Sequence, residues 1–98
     1  MEEFMKGDVV VIPFPFSDLR NSKKRPALVL AKLQGDDLIL CQITGKARFD
    51  KYSITLKDLD FREGKLNVDS MIRLNRLFTA DKSLIRYKIG SLKREKLE

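Results

Sequence analysis

A mainly β, antiparallel domain with short helices, closed into a barrel or folded as a sandwich, is the fold class this sequence predicts. Three observations carry that reading. Short runs rich in β-branched and aliphatic residues recur along the chain, each bounded by glycine, proline or aspartate. The turns between them are tight. No stretch is long enough to supply the crossover helices of a parallel sheet. With no internal repeat, low-complexity tract or linker, residues 1–98 read as one domain.

The first strand spans 8–12, where Gly7-Asp8 opens "VVVIPF" and branched side chains suit a buried pleated surface. Pro13 and Pro15 then predict an end to pairing, and polar residues make a loop. "PALVLAKL", 26–33, is the second strand, and the turn at Gln34-Gly35-Asp36-Asp37 folds it back onto "LILCQIT", 38–44. A basic loop, "GKARFDKY", follows. "SITLKDL", 53–59, alternates as a half-exposed strand, Gly64 marks a turn, and "DSMIRLNRLFT", 69–79, alternates again with one apolar and one polar face. A short helical turn and a last short strand fit "ADKSLIRYKIG". Ser91 reads as the N-cap of a final helix only two turns long.

Composition narrows the chemistry. The chain is 43% hydrophobic and 35% charged, which suits a folded domain. A single cysteine, Cys41, excludes an intramolecular disulfide framework, and the acidic start "MEEFMK" has no signal-peptide pattern. No apolar run reaches membrane-span length, so the expectation is a soluble cytoplasmic protein with no membrane partner. There is no histidine, hence no Ser-His-Asp or Cys-His triad and no imidazole metal ligand. Cys41 sits within an apolar strand, where a thiol is usually a core residue. Asp36-Asp37 and Asp58-Leu59-Asp60 are acidic pairs of the kind commonest in solvated turns, so no metal or cofactor is expected. There is no glycine-rich phosphate loop.

A net charge of +6 points toward polyanions, though solubility alone also explains a basic surface. More telling is "NSKKRPALVLA", 21–31, where Lys23, Lys24 and Arg25 stand beside Pro26 at the mouth of an apolar strand. On charge pattern alone a solvated loop explains them. Arginine is also a phosphate clamp able to neutralise a charged transition state. With a turn centred near Gly35, Arg25 at the entrance of one strand and Thr44 at the exit of the next become neighbours. Arg73 and Asn75 share a strand face by period two.

"GDVVVIPFPFSDLRNSKKRPALVLA", "LILCQITGK" and "VDSMIRLNRLFTADKSLI" together resemble the MazF/PemK (Kid) family of toxin ribonucleases from toxin–antitoxin pairs, in order and spacing over roughly residues 6–90. The resemblance implies an SH3-like antiparallel β-barrel of the CcdB/PemK-like kind, with added helical segments. It also implies a homodimer, a small acidic antitoxin partner, and metal-independent, sequence-specific cleavage of single-stranded RNA. Arg25 matches the arginine of the family's Arg-Pro motif, a principal catalytic group. Thr44 matches the threonine that holds the scissile phosphate. Arg73 and Asn75 stand where the Kid-like branch has an arginine and an acidic residue. Asn75 is a departure, because an amide cannot take a proton.

On this reading Lys23, Lys24, Lys46, Arg48 and Arg76 bind RNA around the catalytic set. The substrate's own 2′-hydroxyl serves as nucleophile, leaving a cyclic phosphate or 3′-phosphate and a 5′-hydroxyl. The competing reading is a non-catalytic SH3-like module that binds nucleic acid or an acidic peptide.

Overall fold

The computed structural model describes residues 3–14, 23–45, 53–66 and 70–97, with backbone alone at positions 14, 23, 75 and 95. Seven strands form one antiparallel sheet: β1 (Asp8–Phe14), β2 (Lys23–Lys32), β3 (Asp37–Thr44), β4 (Ser53–Leu56), β5 (Phe61–Glu63), β6 (Ser70–Asp81) and β7 (Tyr87–Leu92). A four-residue helix, α1 (Arg94–Leu97), follows. The spatial order is β4-β6-β3-β2-β1-β7-β5. None of the described helices is long and apolar enough to cross a membrane.

The connections force this sheet to curl. Laid flat, seven strands would span roughly 29 Å between edges. The two edge strands, β4 and β5, are joined only by residues 57–60, which bridge at most about 18 Å when fully extended. Asp58–Asp60 coil into a 3₁₀ turn, shortening that reach further. The edges are drawn together, and the C-terminal segment fastens the seam. Lys93 N donates to Asp60 O at 2.8 Å, and Lys96 Nζ donates to the edge carbonyl of Thr55 at 2.6 Å. Lys96 also pairs with Asp60 at 3.2 Å. An otherwise open strand edge is thereby covered.

Both faces of the sheet are buried along much of its length. Val10, Ile12, Ala27, Val29, Leu38, Leu40 and Ala80 form one cluster with Phe4. Val9, Leu28, Cys41, Ile43, Leu56, Phe61, Ile72 and Leu92 form the other. Successive residues of β1, β2 and β3 alternate between the two, which explains why their sequences read as unbroken apolar runs.

Several expectations shift. The first strand runs through Pro13, which pairs with Lys24. Val11 O accepts from Arg86 N, so residues 11 and 13 turn their backbone groups toward β7, and β7 has left β1 after Val11. The imide nitrogen of Pro13 therefore faces an open side where no donor is required. Pro26 lies inside β2 rather than at its start, opposite Val11. Its imide nitrogen turns toward β3, whose pairing with β2 begins at Ala27, so the missing donor falls beyond the end of that ladder. The expected strand 53–59 stops at Leu56, because Lys57 N donates to Asp60 Oδ2 at 2.9 Å and nucleates the 3₁₀ turn.

Strand β5 was not expected. Gly64 and Gly90 permit it: a Cβ on either would collide with backbone of the neighbouring strand, and Gly64 holds a positive φ of 79°. Ser91 is no helix cap. It lies in β7, and its hydroxyl donates to the buried carboxylate of Asp8 at 2.8 Å. The Gly35 turn, the 3₁₀ turn Lys82–Leu84 and the last strand all match the sequence reading.

Candidate active site

Register places the candidate residues. Strand β2 pairs with β3 through Ala27↔Gln42 and Leu28↔Cys41. Continued by two residues, that register sets Arg25 opposite Thr44. On its other side Arg25 pairs with Ile12, and Thr44 pairs with Met71 of β6. A row of Ile12, Arg25, Thr44 and Met71 thus crosses four strands. In the next row Val10, Ala27 and Gln42 lead to Arg73, which pairs with Ser53 of β4.

All these positions lie on one sheet face, the face of the Val10–Ala27–Leu40 cluster, because their immediate neighbours Val9, Leu28, Cys41, Ile43 and Ile72 fill the other. The site is where that apolar face gives way to polar groups. Arg25, Gln42, Thr44 and Arg73 are all half-buried. The Nε atoms of Arg25 and Arg73 are both shielded from solvent, so the side-chain stems are sunk into the fold. Arg25, Thr44, Ser53 and Arg73 each engage neighbours in the chain.

Strand spacing separates the Cβ atoms of Arg25 and Arg73 by about 12 Å, two strands across and two residues along. At an effective dielectric of ~20, two unit charges at that distance repel by about 1.4 kcal/mol, whereas an anion midway attracts each by about 2.8 kcal/mol. One phosphate between them outweighs their repulsion severalfold.

Strand β6 carries a large irregularity beside the site. Ile43 pairs with Ile72 but Cys41 pairs with Leu77, so residues 73–76 stand against Gln42 alone. Before this bulge the odd positions, Met71 and Arg73, share the site face; after it the even ones do, Phe78 and Ala80 packing with that face's cluster. Strict alternation would have carried Asn75 onto the face of Arg73. Asn75 instead lies in the segment where the parity changes, and its side chain is outside the described residues. Bulges of this kind re-aim side chains next to functional sites.

Cys41 anchors the bulge. Its thiol donates to the carbonyl oxygen of Arg73 at 2.7 Å. Removal from solvent pushes the thiol up to about 11, so it stays protonated at neutral pH and acts as a donor rather than a nucleophile.

Among the RNA-contact candidates, Lys24 and Arg76 are exposed, and alternation along β2 gives Lys24 the opposite face from Arg25. Lys46, Arg48 and the side chain of Lys23 lie outside the described residues. Among the described residues, no three potential metal-ligating side chains converge. Asp36 pairs with Lys82 and Asp60 with Lys96, as turn carboxylates do. Sequence reasoning passed over Gln42 and Ser53. Gln42 was findable: it is the one amide in "LILCQIT", two residues before Thr44, and the hairpin register that pairs Arg25 with Thr44 places it beside both.

No curated protein matches the chain in sequence. Among solved structures, an endoribonuclease in complex with its cognate antitoxin from a Mycobacterial species matches with a TM-score of 0.74 at 11% identity, covering 95% of this chain and 82% of that one. The shared feature at that identity is the fold, the curled antiparallel sheet of the PemK/CcdB-like type. A family model for the PemK-like, MazF-like toxin of type II toxin–antitoxin systems matches residues 5–98. The chain belongs to that toxin family.

Proposed function

We propose that this toxin is an endoribonuclease that cuts single-stranded RNA at short sequences without a metal ion. The observation that carries the reading is the β2–β3 register: continued two residues beyond Ala27↔Gln42 it sets Arg25 opposite Thr44, with Arg73 one row away on the same half-buried face. Arg25 and Arg73 would bind the scissile phosphate and stabilise the extra charge of the phosphorane, and the Thr44 hydroxyl would orient it. The 2′-oxygen attacks phosphorus as its proton departs, and the 5′-oxygen leaves as it gains one. The products are a 2′,3′-cyclic phosphate, or the 3′-phosphate from its hydrolysis, and a 5′-hydroxyl. The chain has no histidine to shuttle these protons, so positioning and charge carry the catalysis.

Lys23, Lys46, Arg48 and Arg76 would hold flanking phosphates, whereas Lys24, on the opposite face of β2, would not reach the same strand of RNA. A small acidic antitoxin would compete for the same surface, and a symmetric homodimer would offer RNA two such surfaces.

The test uses an RNA that the protein cuts once and a copy with a single 2′-deoxy nucleotide at the cut. The reading requires a 5′-hydroxyl on the downstream fragment and no cleavage of the deoxy copy. Cleavage of the deoxy copy, or a 5′-phosphate, rejects the mechanism. Asn75, standing where an acidic residue is expected, favours the second reading, a module that binds without cutting; binding of both RNAs with cleavage of neither would establish it.

A further inference from the structure

We propose that Gln42 is a positioning residue of this site: once a phosphate is bound, its carboxamide oxygen accepts from the guanidinium groups of the neighbouring rows and its NH₂ donates to the phosphate. The proposal rests on the reading of the site as a phosphate clamp. Gln42 pairs with Ala27, and the register of Ile43↔Ile72 continued by one residue sets Arg73 on its other side. Thr44 lies two residues on along the same face, and Arg25 lies diagonally across β2. Directly opposed side chains have Cβ atoms about 5 Å apart and diagonal ones about 7–8 Å, within reach of glutamine and arginine. The methyl group of Ala27 leaves the space beside Gln42 to the longer side chains. Strand β6 sets residues 73–76 against Gln42 alone, so this residue is the cross-strand support of the bulge that aims Arg73.

The chemistry then fixes the orientation of the amide. Guanidinium groups only donate, so Oε1 must be the atom turned toward them. The two N–H donors of Nε2 are left for an acceptor above the sheet, which in this site is a phosphate oxygen. A neutral acceptor is required. A carboxylate here would hold the arginines equally well, but it would cancel one positive charge and repel the phosphate.

Two near-isosteric variants separate these roles, each read on the full chain by single-turnover cleavage of mixed-sequence RNA, affinity for single-stranded DNA of the same sequence, and thermal midpoint. Gln42→Met keeps volume and charge but removes both the acceptor and the two N–H donors. It should bind the DNA about three- to tenfold more weakly than wild type with an unchanged salt slope, and cut RNA at least about tenfold more slowly. Gln42→Glu should bind the DNA at least about tenfold more weakly, with a shallower salt dependence. Wild-type cleavage by Gln42→Met, or wild-type DNA affinity in Gln42→Glu, overturns the proposal. A Gln42→Met variant that fails to fold leaves the decision to Gln42→Glu. If the wild-type protein binds DNA but cuts no RNA, the endoribonuclease reading fails while the Gln42→Glu binding result still decides the role of Gln42.

Discussion

The thiol of Cys41 donates a hydrogen bond of 2.7 Å to the backbone carbonyl of Arg73, across a bulge that leaves this carbonyl outside the regular ladder. A core side chain on one face of the sheet thereby fixes the backbone of an arginine displayed on the other.

Cys41 should resist alkylation. Its folded-state value of about 11, against 9.0 for an ordinary cysteine, comes from burial, so the native thiol carries almost no thiolate at pH 8. Iodoacetamide should label the protein only under denaturing conditions. Because the unfolded thiol ionises first, its contribution to stability is whole below pH 9 and is lost as the pH rises from about 9 to about 11. Urea midpoints across that range should fall more steeply for wild type than for Cys41→Ala.

Gly90→Ala should destabilise the fold by about 2–3 kcal/mol, because the new methyl group meets the carbonyl of Glu63 across the β5–β7 pair, and backbone cannot swing aside as a flexible side chain would. The urea midpoint measures it. Gly35→Ala meets no atom within 4 Å and strains only its φ of 83°, so it should cost less.

The seam formed by Asp60 and Lys96 should loosen in acid. Partial burial raises the carboxyl of Asp60, but the Lys57 N–H and the ammonium of Lys96 together outweigh burial and hold it below the ordinary value of 3.8. A carboxyl lowered on folding lends stability that is complete above the unfolded value and is lost as pH falls through the folded one. Below about pH 4, exchange of the Lys93 amide should accelerate before the amides of β2 and β3. Lys96→Ala should weaken that pH dependence, leaving the part that comes from the Lys57 N–H.

Arg25→Ala should cut RNA about 10²–10³-fold more slowly at a temperature where circular dichroism shows the variant still folded, since loss of one preorganised charge-stabilising group costs about that much. Arg73→Ala should show a similar loss. If either variant cuts at the wild-type rate, that arginine does not contact the reacting phosphate.

What the sequence made legible follows from periodicity. The hairpin around Gly35 could be read because its turn residues and two apolar arms agree, and from it came the opposition of Arg25 and Thr44. Strand β5 was hidden because three residues show no period; only its pairing with Leu92 and Ser91, remote in sequence, makes "FRE" a strand. Ser91 looked like a cap because its partner, Asp8, lies 83 residues away. The face shared by Arg73 and Asn75 was argued from strict alternation; the side chain of Asn75 lies outside the described residues, and the parity of β6 changes between Arg73 and Phe78 through a bulge that no local signal marks.

The most direct measurement is cleavage of an end-labelled, mixed-sequence single-stranded RNA in excess EDTA, with Arg25→Ala alongside. Clustering of arginines without histidine, and without a carboxylate triad among the described residues, leads to full wild-type activity in EDTA and almost none in the variant. Activity abolished by EDTA and restored by Mg²⁺, or an Arg25→Ala protein as active as wild type, would contradict it.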